Sequence, residues 1–284
     1  MDVADDGRYY SPPVGRWAEQ KHDLVAYYAK LFSEGMKNKW HERVYIDLYA
    51  GAGYSKLKNS DRIIAGSPIQ ALLVTPPFDK YIFCEKGIRE ISALRDRVDH
   101  HLRNANVTFI SGDCNENVDN VLDAIPPYSI DHRVLSLCFV DPFDIGIKFA
   151  TLRKLASRRM DFLILLALYM DANRNYDNYV KEEAPKIGEF LGSSDWRRRW
   201  IAETERGKEF PQFLAEEFSR SMEALSYKQQ PFYKTKAVTI PEKNVRLYRL
   251  ALFSRHSTAY KFWDQVLKYT TPQQLLDFGK SDGE

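Results

Sequence analysis

Three cysteines in 284 residues, spread over positions 84, 114 and 138, are too few and too scattered to frame a disulfide-stapled fold. Cys84, Cys114 and Cys138 also lack the paired spacing of a zinc site, so no metal is expected and the thiols read as reduced groups at strand ends. Long apolar runs are missing too. The longest, Phe162 to Met170, falls well short of the ~18 residues of a membrane span. The amino terminus carries no basic-then-apolar leader, so a cytoplasmic protein with no membrane partner is expected. Neither sign of charge dominates: 41 Lys and Arg against 39 Asp and Glu leave +2, which neither demands nor excludes a polyanionic partner. Internal repeats and low-complexity tracts are absent. What is there, 44% hydrophobic and 28% charged, suits an ordinary globular chain of one large domain or one domain with an insertion.

The chain is organised around Val44-Tyr45-Ile46-Asp47-Leu48-Tyr49-Ala50-Gly51-Ala52-Gly53. A short apolar run rich in β-branched and aromatic residues reads as a buried parallel strand. It ends in a carboxylate and breaks into a glycine turn, the place where open α/β sheets bind nucleotide-like ligands. Three readings compete: a purely structural turn, a dinucleotide site and an S-adenosylmethionine loop. The dinucleotide fingerprint wants a third glycine where Lys56 stands, and an acid about 20 residues on, much nearer than Glu85.

Residues 1–15 are acidic and then rich in Pro and Gly, a flexible lead-in. Trp17, Leu24, Val25, Tyr28, Leu31 and Phe32 recur at helical steps, with Lys21 and His22 assigned to the solvated face. The polar stretch Lys56 to Asp61 is either a substrate loop or a plain surface excursion. Ser67-Pro68 opens a helix, the hydroxyl serving as cap. Strands then follow at Tyr81–Glu85, Val107–Ile110, Val134–Val140 and Asp161–Leu168, alternating with helices, which implies parallel crossovers. From Tyr176 to Leu225 the pattern is helical, aromatic and charged. Strands return at Lys236–Ile240 and Arg246–Phe253 around a turn at Pro241-Glu242-Lys243-Asn244, and a last helix spans Thr258 to Tyr269.

Four of these strands close in acids: Asp47, Glu85, Asp113 and Asp141. Each alone can be a helix cap. In a parallel sheet, however, all four share one edge, where they suit a ligand with cationic and hydroxyl groups.

Asp47-Leu48-Tyr49-Ala50-Gly51-Ala52-Gly53 resembles the donor loop of S-adenosylmethionine-dependent nucleic-acid methyltransferases. The expected fold is thus Rossmann-like, of methyltransferase class I: a seven-stranded, mostly parallel sheet whose last strand is antiparallel, with a helical insertion between strands five and six. The domain covers 16–175 and 236–284, and the insertion, 176–235, recognises substrate or partner. The resemblance implies that Asp47, Tyr49, Ala50, Gly51 and Gly53 bind the donor, with Asp47 facing its methionine end. Glu85 then takes the ribose hydroxyls and Asp113 the adenine amine; Asn115 either helps there or caps a helix. Asp141-Pro142-Phe143 sits where amino-methyltransferases carry their catalytic motif, with Asp and a proline carbonyl accepting from the target amine and the aromatic stacking on the base. Gly usually follows this short form, and here Asp144 does. The alternative is a mere turn.

Over Trp17 to Phe278 the chain resembles the three-Cys-motif partner family, through the motifs above together with Gly66-Ser67-Pro68, Phe253-Ser254-Arg255-His256 and Lys261-Phe262-Trp263. That family name implies a separately encoded three-cysteine protein as partner. Of Tyr169, Asp171, Asn173 and Arg174, which follow strand five, one or two are expected to contact substrate; Arg174 is the candidate, with Asp144. Trp196-Arg197-Arg198-Arg199-Trp200 either grips phosphates through Arg197 and Arg198 or buries its tryptophans beneath a solvated arginine face. The expectation is a methyltransferase acting on an exocyclic amine of a nucleic-acid base. The alternatives are a non-catalytic binding protein of the same fold and a small-molecule methyltransferase.

Overall fold

A computed structural model describes residues 9–181, 184–229, 231–240 and 245–268. In chain order its strands are β1 (Pro13–Val14), β2 (Glu42–Asp47), β3 (Tyr54–Leu57), β4 (Ile63–Ala65), β5 (Lys80–Glu85), β6 (Val107–Ser111), β7 (Val134–Val140), β8 (Met160–Leu166), β9 (Lys236–Ile240) and β10 (Val245–Phe253). The helices are α1 (Trp17–Met36), α2 (Ser67–Leu72), α3 (Ile88–His101), α4 (Val118–Ala124), α5 (Phe149–Leu155), α6 (Tyr176–Tyr179), α7 (Lys186–Leu191), α8 (Trp196–Thr204), α9 (Phe210–Glu223) and α10 (Ser257–Lys268).

Seven strands form the central sheet in the order β6-β5-β2-β7-β8-β10-β9. The first five are mutually parallel, while β10 runs antiparallel between β8 and β9. This is the class I methyltransferase order expected from the sequence. The reason is compositional: β7 and β8 are buried along their whole length, as strands covered by helices on both faces must be. Parallel pairing brings the carboxyl ends of β2, β5, β6 and β7 to one edge. Among the described residues no helix is long and apolar enough to cross a membrane.

Helices α6 to α9 do lie between β8 and β9, but their core is continuous with that of the sheet. Phe218 of α9 packs 5.6 Å from Phe253 of β10 and 6.2 Å from Phe149 of α5, centroid to centroid. Trp196 and Trp200 are buried beneath α9, against Phe210 and Phe213.

Three features depart from the expectations. The polar stretch Lys56 to Asp61 ends β3 and forms its turn to β4, in a second, three-stranded sheet of order β1-β3-β4. The lead-in is pinned from Tyr9 onward: the buried Arg97 of α3 donates to the carbonyls of Tyr9 and Tyr10 and to Ser11 Oγ, and β1 pairs with β3. Residues 1–8, the 241–244 turn and everything beyond Lys268, including the family resemblance up to Phe278, fall outside the described residues. Finally, strand five ends at Leu166 and the chain turns into one π-helical turn, Leu168–Ala172. Such turns have no sequence signature, and they occur frequently at functional sites.

Candidate active site

The glycine turn leaves β2 at Asp47 and runs into β3, and the chain returns to it at Gly66, ahead of α2. Gly51 and Gly53 both have positive φ, +64° and +87°, a region open to glycine and strained for other residues. They face opposite ways. A Cβ at Gly53 would lie 2.9 Å from Leu94 Cδ1 and 3.1 Å from Ile69 Cγ1, inside the core. A Cβ at Gly51 would meet nothing within 4 Å. The turn is therefore anchored through Gly53 and open through Gly51. Further anchors are the Gly66 amide donating to the Gly53 carbonyl at 2.7 Å, the Ala50 amide donating to the Cys84 carbonyl, and Arg97 donating to the Ala52 carbonyl.

The four strand-end acids are in different states. Glu85 is half-buried and accepts from the Gly51 amide at 2.8 Å and the Gly87 amide at 2.7 Å, so it joins the glycine turn to the start of α3. Asp113 accepts from the Asn115 amide at 2.9 Å and from Lys86 Nζ at 3.2 Å. Partial burial pushes its carboxyl up, but those two donors hold it below the usual range. Asp47 is fully buried: Oδ1 accepts from the Tyr49 amide at 3.1 Å, while Oδ2 has no partner. Burial, aided by the nearby Asp141, raises its carboxyl to about 7, with the neighbouring Ser67 hydroxyl opposing the shift. Ser67, expected to cap α2, is instead its first helical residue, and Gly66 stands at the cap position.

Asp141 corrects the assignment of Lys21 to a solvated face. Lys21, only 5% exposed, reaches from α1 to an ion pair with Asp141 Oδ2, its Nζ 5.1 Å from the Trp17 ring. His22, likewise assigned to solvent, is buried with Nδ1 unpartnered, and burial holds its imidazole well below the usual range, hence neutral. A signal was present: positions 17, 21, 24, 25 and 28 share one helical face, so Lys21 sits in apolar register. Burial raises the Asp141 carboxyl, and Lys21 opposes that shift. The Asp141 charge in turn acts on Asp47, Tyr45 and Tyr248, raising all three. Pro142 is buried, whereas Phe143 is 77% exposed at the rim, an aromatic face open to solvent.

The remaining candidates fall into several settings. Asn115 is a strut: Nδ2 donates to the Gly146 carbonyl, and Oδ1 accepts from the Lys148 amide and Thr151 Oγ1, tying the β6 loop to the β7 loop. Asp144 pairs with Lys186 Nζ at 2.7 Å, and that ammonium also meets Tyr179 and Asp171. Asp171 in turn accepts from the Ile145 amide, so the π turn buttresses the loop after β7. No spacing rule joins Lys186 to Asp144 and Asp171, because the three stand on separate elements of the chain. Arg174 is exposed just beyond the π turn. Arg197 donates to the carbonyls of Val180, Lys181 and Ala184 and lies over Trp196; Arg199 is held by Glu217 and Asp195. Only Arg198, 84% exposed in its side chain, faces solvent in that cluster. Buried tryptophans account for the motif, and its guanidiniums mostly serve the fold. Tyr49 is half-buried with Ala50 buried behind it.

No family model matches the chain, and no curated protein matches it. Among solved structures it is similar to M. jannaschii TYW2 in complex with AdoMet, at 13% identity over 85% of this chain and 77% of that one, TM-score 0.40. It is similar to the O-methyltransferase TomG from Streptomyces achromogenes in complex with SAM, at 14% identity over 83% and 80%, TM-score 0.44. A Legionella pneumophila protein aligns at 12% identity over 90% and 88%, TM-score 0.44. These likenesses are distant, and the fold assignment stands on the strand order of the sheet.

Proposed function

We propose that the chain is an S-adenosylmethionine-dependent methyltransferase acting on an exocyclic amine of a nucleic-acid base. One observation carries this reading: a glycine turn open at Gly51, with Asp47, Glu85 and Asp113 around it at one sheet edge. Glu85 suits the ribose hydroxyls and Asp113 the adenine amine, while the unpartnered Oδ2 of Asp47 suits the cationic methionine end. The bound donor would supply an electrophilic methyl carbon. Asp141 then orients the acceptor: Lys21 holds one carboxylate oxygen, leaving the other for the amine hydrogen, and Phe143 offers its exposed face to the base. Asp144, neutralised by Lys186, is no second carboxylate at the reacting centre. Positioning of this kind supplies much of the rate in transfer between bound groups.

A second reading, a non-catalytic binding protein acting with a three-cysteine-motif partner, is favoured by the same ion pair, because Lys21 already engages Asp141. Labelled-methyl transfer to pooled RNA and DNA, with and without candidate partners, separates the two. Donor binding without any transfer selects the second.

Two measurements probe the donor pocket. Glu85→Ala should weaken donor binding by about 1.5–3 kcal/mol, the scale of a hydrogen bond to a charged group. Unchanged affinity in a folded variant removes Glu85 from the site. The second concerns pH. A cation bound beside Asp47 favours its ionised form and lowers its pKa in the complex, so affinity should strengthen as pH rises through about 7, with proton release on binding. Calorimetry in buffers of differing ionisation enthalpy reads this, and a pH-independent affinity between about 6 and 8 would count against Asp47 as the cation's neighbour.

A further inference from the structure

The small sheet and the start of α1 enclose a cleft of about 670 Å³ lined by Arg16, Trp17, Lys58, Asn59 and Arg62, with Ile240 of β9 at its margin. The adjoining surface adds Lys56 and Asp61. Among the described residues, Arg16, Lys56, Lys58 and Arg62 thus gather at one place, with Asp61 and Glu19 as acids beside them, on a chain whose overall charge is only +2. These cations stand on rigid backbone. The Lys56 amide donates to the Pro12 carbonyl, the Lys58 amide to the Val14 carbonyl at 2.8 Å, and the Leu57 amide to the Arg62 carbonyl at 2.9 Å. Lys56 pairs with Asp61 and Arg62 with Glu19, and both pairs are exposed, so phosphate can replace the carboxylates at little cost. Trp17, part of the cleft wall, packs on Lys21, the ion-pair partner of Asp141.

We propose that this cleft binds the acceptor, a single-stranded nucleic acid that lays its phosphates on Arg16, Lys58 and Arg62 with a base against Trp17. The proposal rests on the methyltransferase reading for its choice of acceptor. It relocates recognition from the helical block, whose Arg197 and Arg199 are spent on internal partners, to the sheet inserted after the glycine turn. Single strands fit the geometry because an exocyclic amine must leave a base pair to reach a recessed carboxylate, and an indole is a stacking surface for any base.

Fluorescence anisotropy with a labelled single strand of RNA and one of DNA, each of about 20 nucleotides, over a salt series, tests it. Wild type should bind with a salt slope of several phosphates. Arg16→Ala/Lys58→Ala/Arg62→Ala should lose about tenfold or more in affinity, and its slope should flatten by about 2, at roughly 0.7 for each phosphate left without its cation. Lys58→Glu/Arg62→Glu should show the same direction more strongly, and Arg198→Ala should match wild type. Affinity for S-adenosylmethionine should be unaltered throughout, which also reports folding. Equal nucleic-acid binding by wild type and both cleft variants overturns the proposal, as does a wild type that binds the methyl donor but neither strand. Failure to bind the methyl donor would instead overturn the methyltransferase reading, and the anisotropy would still decide on the cleft.

Discussion

Asp141→Asn should fold, bind S-adenosylmethionine about as well as the parent, and transfer methyl groups at least about 10²-fold more slowly. An amide can still accept one bond, but it cannot serve both Lys21 and an incoming amine as a carboxylate does, and small misplacements of reacting groups have effects on that scale. A fall in turnover without a fall in ground-state binding marks an interaction used in the transition state. Asp141→Ala is a harsher change. It leaves the Lys21 ammonium buried without its carboxylate, a loss of about 3–5 kcal/mol for a broken buried pair. Lys21→Met/Asp141→Ala removes both charges and should recover most of that stability while remaining inactive. Thermal denaturation and labelled-methyl transfer on wild type and these variants read both quantities. Full-rate transfer by both Asp141→Asn and Lys21→Met would make the pair a structural tie and nothing more.

Gly51→Val should abolish donor binding, with affinity reduced by more than about 10²-fold. The side chain would project into the open space in front of the turn, and a β-branched residue at φ +64° adds backbone strain of about 1–3 kcal/mol. Calorimetry on the folded variant checks it. Binding equal to wild type would move the ligand away from the turn. Gly53 gives the contrast, since a side chain there collides with Leu94 and Ile69 and damages the fold before any ligand is present.

The central strands were legible because burial on both faces leaves continuous apolar runs, and those of β2, β5 and β7 end at or next to an acid. β7 agrees from Val134 to Val140 with its expected span, and β5 differs by one residue at its start. The small sheet was not legible. β3 and β4 have four and three residues, too short for alternation to register, and β1, which pairs with β3, is two residues in a proline-rich lead-in. Their existence depends on long-range closure of the Lys56 and Lys58 amides onto residues 12 and 14.

The site shows a different limit. Lys21 and Arg97 occupy apolar registers of α1 and α3, as the spacings to Leu24 and Leu94 indicate, yet a cation invites a solvated reading. Long side chains can bury their stems and bring the charge to an internal partner, here Asp141 for Lys21 and the Tyr9, Tyr10 and Ala52 carbonyls for Arg97. Conversely, Arg197, on sequence either a phosphate ligand or part of a solvated face, instead closes the carbonyls of Val180, Lys181 and Ala184. Asn115 looked like a ligand group and is consumed by Gly146, Lys148 and Thr151. Residue type and strand-end position point to an edge of the sheet. Which side chains remain available there is decided by partners distant in sequence.

The central claim is that the carboxyl edge around Gly51 holds a methyl donor. Titration calorimetry of the wild-type chain with S-adenosylhomocysteine, with NAD⁺ as the competing ligand class, tests it most directly. The account predicts one site per chain for S-adenosylhomocysteine, lost in Gly51→Val, and no heat of binding with NAD⁺. Binding of NAD⁺ at that site, or no binding of S-adenosylhomocysteine and S-adenosylmethionine at all, would contradict it.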